Sequence, residues 1–353
     1  MLNPRSRLVL AKLESTAGTD PLPVVGTDDL FVSMSSAGIK LGVSQVANEP
    51  ASPTGYELPS AIATIKPSAS YVIPLYGKGL VGGNPVLPKW MDTLLQSCGY
   101  VNQYAGSPAG SQVVWTPDSI YPRKTNTSGV DSGANKTFTI YDYLARDGSV
   151  SSGTKILQRM VGCRVSQVRI VLTVGQWAAL EFDILGESVE PVSSNADLSL
   201  ADLDNVRTDF VRSNAAQSAL NYGGNIALNS QSTTWTIDFG AAQEEGDNNS
   251  TGVATVGTRQ CMVTGSMNPI LATSNITQYV DAQYEQDLGV YSMSGDMTPE
   301  ARNPDDGYTL RVSAPAVQIV FDYDTAGSVV RMPITAKAVS SDSTTAPISI
   351  TLS

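Results

Sequence analysis

Short segments in which apolar and polar residues alternate, each closed by a run of turn-forming residues, recur along the whole chain and restrict it to a β-rich fold. In QWAALEFDILG the positions Ala178, Leu180, Phe182 and Ile184 share one face, with Trp177, Glu181 and Asp183 on the other. This is the period of two that a half-buried strand needs. AVQIVFDYD repeats it, setting Val317, Ile319, Phe321 and Tyr323 against Gln318, Asp322 and Asp324. Past the turn Asp324-Thr325-Ala326-Gly327, the run SVVRMPITAKAV places Val330, Met332, Ile334 and Ala336 opposite Arg331, Thr335 and Lys337. Two alternating runs across a tight Gly-containing turn predict a hairpin. A second hairpin is predicted for GCRVSQVRIVLTV and QWAALEFDILG, turning at Gly175. Further strands are expected at 30–35, 70–77, 136–148, 234–240, 259–266 and 348–353. The breaks between them are dense, with 30 Gly and 20 Pro in 353 residues, while a 41% apolar content is enough to build a core.

One segment departs from the period of two. NPVLPKWMDTLLQSCGY puts Trp90, Leu94 and Leu95 at helical spacing, extended by Met91 and Cys98. Pro88 near the start and Gly99 just past the end predict a single amphipathic helix over about 86–98, laid on a sheet. The opening LVLAKLESTAGTDPLP is a short apolar strand or helix that breaks at Gly18-Thr19-Asp20-Pro21 with nothing local to pack on. It is expected to form an arm, residues 1–26, whose Leu8, Leu10 and Leu13 contact another copy of the protein. Residues 27–353 would then form one β domain. The polar stretch 187–232 is expected to be a long loop or insertion, with a short helix around Leu200, Leu203, Val206 and Phe210. DFGAAQEEGDNNSTG and residues 277–306 are acidic and turn-rich, and are read as solvated surface.

Histidine is absent from the chain. Ser-His-Asp and Cys-His nucleophilic machinery needs imidazole as its base, so that chemistry is excluded, and the commonest transition-metal ligand is missing. Cys98, Cys163 and Cys261 are far apart and form no C-x-x-C pair, so they read as small reduced thiols rather than a zinc or disulfide framework. Carboxylate pairs remain as a catalytic device. Glu181/Asp183 and Asp322/Asp324 each share a strand face, but any solvated strand shows the same. No phosphate loop, nucleophile elbow or EF-hand loop is present, so no enzyme activity, cofactor or metal is expected. No apolar run approaches the roughly 20 residues that span a bilayer, and the N-terminus lacks a secretory core, so the protein is expected to be soluble and made in the cytoplasm. The net charge of −11, from 33 acids and 22 bases, opposes the balance of a surface that grips nucleic acid.

Four collinear pieces resemble the phage tail tube (major tail) protein family. LVLAKLESTAGTDPLPVVGTDDLFV is similar to its N-terminal segment, and LPKWMDTLLQSCGY to its Pro-x-Trp helix stretch. YDYLARDGSVSSGTKILQRMVGCRVSQVRIVLTVGQWAALEFDILG resembles its central strands, and YTLRVSAPAVQIVFDYDTAGSVVRMPITAKA its closing hairpin. Residues 187–232 depart from the pattern by their length. The resemblance implies a mainly β fold, a sandwich or barrel with one flanking helix and long hairpins that form an inter-subunit barrel. It implies hexameric rings stacked into a tube within the virion tail, assembled in the host bacterial cytoplasm. The partners it implies are further copies of the chain, other tail proteins at the tube ends, and the tape measure protein and DNA in the lumen. An acidic wall would repel a polyanion, which makes Glu181, Asp183, Asp322 and Asp324 candidates for the lumen. The alternative is another virion or surface β module: a baseplate, decoration or carbohydrate-binding adhesin domain.

Overall fold

The computed structural model describes residues 7–30, 32–46, 61–74, 89–105, 112–117, 136–145, 155–173, 176, 178–194, 212–213, 219–221, 225–227, 230–246, 253–257, 262–270, 293–294, 297–298, 300–302, 309–322, 324–325, 329–339 and 346–352. Within them the chain is mainly antiparallel strand, with one helix, Lys89–Gln96.

The strand Lys155–Thr173 is the spine of the fold. Its first half pairs with Phe138–Ala145 on one side and Ser188–Ser194 on the other. Its second half pairs instead with Ala179–Leu185 and Ser230–Asp238. The exchange of partners falls near Gly162, which has a φ of 64°. The registers shift on both sides, between Phe138 and Ile140 and between Val165 and Gln167. Such irregularities bend a strand and sharpen its twist, which lets one strand serve two sheet segments.

From the second half of the spine a broad sheet extends both ways. On one side it runs through Ala179–Leu185 and Ala61–Pro74 to Gly38–Val46. On the other it runs through Ser230–Asp238, Met262–Pro269 and Ile334–Ala338 to Val317–Phe321. One face is the core. Val168, Ile170, Leu180, Phe182, Trp235 and Ile237 are all buried on it. A second sheet, built around Tyr100–Ala105, Gln112–Pro117, Ser349–Leu352 and Thr309–Ser313, adds Trp115, Ile350 and Val312 to the same cluster. The helix adds Met91, Leu94, Leu95 and the following Cys98. Each large side chain so buried contributes about 1.5–3 kcal/mol.

The strands of both predicted hairpins pair as expected, while Gly175 and the Ala326-Gly327 part of the other turn lie outside the described residues. Val317 pairs with Ala338 and Phe321 with Ile334; Val171 pairs with Ala179. The helix is shorter than expected at its C-terminal side, ending at Gln96, with Gly99 at a φ of 81° closing the turn. Residues 86–88 lie outside the described residues. The strand expected at 30–35 shrinks to Asp29–Leu30, because Ser33–Ser36 forms a turn. Gly38–Val46 was missed, although Ile39, Leu41 and Val43 alternate in it.

Two expectations are corrected. The stretch 187–232 is not one open loop: Ser188–Ser194 lies on the spine, and Ala219–Asn221 pairs with Asn225–Ala227. Its suggested helix falls outside the described residues. The leading segment is not a free arm either. Arg7–Leu13 pairs along its whole length with Phe138–Ala145, and at Val9 and Leu10 with Asp29–Leu30. Leu8 and Leu10 are buried with Tyr141, Tyr143 and Leu157 in their own chain, and Leu13 packs on the main core. Their partners lie so far along the sequence that local inspection showed none.

Candidate functional site

The opening motif positions its own loop. Glu14 is buried, and its carboxylate accepts hydrogen bonds from the Thr137 hydroxyl at 2.5 Å and the Thr139 hydroxyl at 2.6 Å. The same carboxylate accepts the N–H groups of Gly18 at 2.7 Å and Gly162 at 2.9 Å. Asp20 accepts from the Tyr141 hydroxyl, from Arg159 at 3.0 Å and from the Leu22 N–H at 2.9 Å. Burial, then Asp20, raises the Tyr141 phenol above its ordinary range. The glutamate and aspartate of the motif therefore act as acceptors that fasten residues 14–22 to the body. Leu22, held at a φ of 53°, is exposed on this fastened loop.

A second cluster ties the leading strand to the broad sheet. Arg7 Nε donates to Asp142 at 2.8 Å, and a second guanidinium nitrogen reaches the other carboxylate oxygen. The Tyr71 hydroxyl also donates to Asp142, at 3.0 Å, and the Arg7 guanidinium lies 5.3 Å from the Tyr71 ring centroid. Burial, followed by the charge of Asp142, pushes the Tyr71 phenol well above its usual range. Sequence reading passed over Arg7, Tyr71 and Asp142, because polar residues inside buried strands carry no periodic signal.

The face of the broad sheet opposite the core is polar. Glu181 and Asp183 lie on it, as their alternation predicted, and both turn to Arg169 on the spine. Arg169 Nε donates to Glu181 at 2.7 Å, and a terminal nitrogen stands 3.7 Å from Asp183. Asp322 is exposed past the end of Val317–Phe321, and Asp324 faces Arg331 across an isolated bridge. Five strand spacings separate Ala179–Leu185 from Val317–Phe321, roughly 24 Å at the usual inter-strand distance. The two acid pairs are therefore not brought together, and the gap exceeds the carboxyl separation of a glycosidase. Among the described residues no group of three or more Cys, Asp or Glu could hold a metal ion. Among the described residues no helix is long and apolar enough to cross a membrane. Cys98 and Cys163 are buried thiols, donating to the carbonyls of Leu94 at 3.1 Å and Met160 at 3.3 Å; Cys261 lies outside the described residues.

The edges of the broad sheet are its other notable feature. The hairpin of Gly38–Val46 and Ala61–Pro74 stays paired out to Val46 and Ala61, whereas Ala179–Leu185 stops pairing at Ser68. The hairpin therefore projects beyond the sheet. Leu41 and Val43 on it are 52% and 47% exposed. Among the described strands, Gly38–Val46 has a neighbour on one side only. At the far end, Met293–Ser294 covers only Val317 and Gln318.

A family model described as phage tail tube protein matches residues 4–352. No curated protein is significantly similar to the chain.

Proposed function

Because this chain belongs to the phage tail tube protein family, and so has a structural role in the virion tail, we propose that it assembles into hexameric rings that stack into the conduit for genome delivery. The observation that carries this reading is the projecting hairpin, whose outer edge has no partner among the described strands and which exposes Leu41 and Val43. An open strand edge is a template for another strand. Among the described strands both ends of this sheet are largely uncovered, so identical copies can continue the sheet head to tail until the rotation closes a ring. Other tail proteins would meet the tube ends, the tape measure protein and DNA would occupy the lumen, and assembly would take place in the host cytoplasm.

Negative-stain microscopy and light scattering of the purified protein test this. Rings or tubes are expected, and L41K/V43K is expected to give folded protein, by circular dichroism, that stays monomeric. Wild-type protein that remains monomeric at high concentration rejects the proposal.

A further inference from the structure

Resting on that tube reading, we propose that the direction of the projecting hairpin is set within the free subunit by two clamps. Arg7 holds its root, and Gln243 holds the point where it leaves the sheet. Both are positioning residues for assembly with a second copy.

The topology creates the need for a clamp. Ala61–Pro74 pairs with Ala179–Leu185 only from Ser68 to Pro74, so residues 38–40 and 68–74 lie within the broad sheet. Residues 41–46 and 61–67 run on past that pairing as a two-stranded ribbon. Such a ribbon is only marginally held by its own ladder, and its point of departure is a hinge.

Gln243 sits at that hinge. Its side-chain amide nitrogen donates to the Pro67 carbonyl at 2.8 Å and to the Gly186 carbonyl at 2.8 Å. Pro67 is the first residue of its strand beyond the pairing with Ala179–Leu185, and Gly186 directly follows Leu185. One NH2 group, with two protons to donate, therefore ties together the two branches of the fork. The Gly186 N–H reaches the same Pro67 carbonyl at 3.1 Å. Gln243 is itself anchored, because Ala242–Glu245 pairs with Val253–Gly257, whose Val253 and Val256 are buried. Lys66 also donates to Glu245 at 2.7 Å, but both are exposed and the pair adds little.

The root is fastened separately. The Val72 N–H donates to the Ser36 hydroxyl at 2.9 Å, and the Ser33 N–H to the Val72 carbonyl at 2.7 Å. These bonds close the turn before Gly38–Val46 onto Ala61–Pro74. Arg7 Nη1 then donates to the Ser36 carbonyl at 3.0 Å, while its other nitrogens hold Asp142. Asp142 also accepts from Tyr71, on the hairpin's inner strand. A Cβ on Gly38, which has a φ of 75°, would collide with the Arg7 guanidinium. The guanidinium thus links the leading strand to both legs of the hairpin.

A projection held in one direction meets its neighbour without first being ordered, and removing that ordering cost is how rigidity raises affinity. The same gain recurs at every joint of an assembly.

Two substitutions test the hinge clamp. Gln243→Met keeps the length and loses both donors; Gln243→Glu sets a carboxylate against the two carbonyls. Spin labels at Ser44→Cys and Lys337→Cys report the hairpin's direction in dilute, unassembled subunits by pulsed electron paramagnetic resonance. The background carries Cys261→Ser, and Cys98 and Cys163 are buried. A narrow distance distribution is expected with Gln243 in place and a broadened one in both variants. Arg7→Lys, with one nitrogen for both Asp142 and Ser36, is expected to broaden it from the root. Unlabelled, the Gln243 variants are expected to keep the wild-type circular dichroism yet need about tenfold more protein to form tubes. Broad distances in the wild-type subunit would overturn the proposal, as would variants with unchanged distances or with wild-type assembly. Wild-type protein that forms no tubes defeats the tube reading instead, and the distance comparison still decides whether the clamps fix the hairpin.

Discussion

The carboxylate of Glu14 accepts the backbone N–H of Gly162 at 2.9 Å, across 148 residues of sequence. The contact falls where the spine changes partners, so the end of the leading strand fixes the bend of the central one. The Glu14→Ala variant leaves the Thr137 and Thr139 hydroxyls and two backbone N–H groups to find other partners. Unsatisfied buried donors cost roughly 1–3 kcal/mol each when no water reaches them, and a total loss of about 3 kcal/mol is expected. Urea unfolding at low protein concentration measures it; an unchanged midpoint would show that the cluster contributes nothing.

Gly162 itself allows no side chain. Its φ is 64°, and a Cβ there would run into the side chain of Glu187. Two separate penalties apply, strain in the left-handed region of about 1 kcal/mol and overpacking of about 1–3 kcal/mol. Gly162→Ala is therefore expected to destabilise strongly, and less so in a Glu187→Ala background, where only the backbone penalty remains. Equal losses in both backgrounds would remove the steric half of this account.

The Arg7–Asp142 pair should behave as a buried unit. Asp142→Ala strands the guanidinium, a loss of about 3–5 kcal/mol for a buried pair with one partner removed. Tyr71→Phe deletes one hydrogen bond and should cost about 1 kcal/mol. Arg7→Met combined with Asp142→Leu should destabilise by less than the sum of the single changes, because neither charge is left alone. A thermodynamic cycle that closes additively would contradict the coupling.

Alkaline pH should unfold the protein through groups held neutral inside it. Burial, then Glu14, raises the Cys163 thiol; burial, then Asp142, raises Tyr71; and Tyr141 is raised by burial and Asp20. A group raised in the folded state contributes stability that is complete below its unfolded pKa and is lost as pH climbs toward the folded value. Loss should thus begin near the ordinary thiol range, about pH 8.5, and steepen above about pH 10 where unfolded phenols ionise. Phenolate absorbance rising together with loss of circular dichroism would agree. Full phenolate absorbance in a still-folded protein would refute it.

Local pattern made the hairpins and the helix legible, because the residues that define them are near neighbours. Val317 and Ile319, or Leu94 and Leu95, declare their buried side within a few positions. That Glu181 and Asp183 share a face was also readable, but Arg169 as their common partner depended on register between strands. The leading strand was misread for a related reason. Leu8 and Leu10 meet Tyr141, Tyr143 and Leu157, and no periodicity links residues so distant in the chain. Glu14 and Asp20 stood in plain view within the opening motif. Their role as acceptors required the loop that only the folded chain supplies.

The spine Lys155–Thr173 has a further mechanical meaning. A strand at the margin of a sheet can be peeled away bond by bond, but this one is gripped on both sides in each half. A load on either half passes through the same covalent backbone into the other, leaving no seam along which a tear could stop.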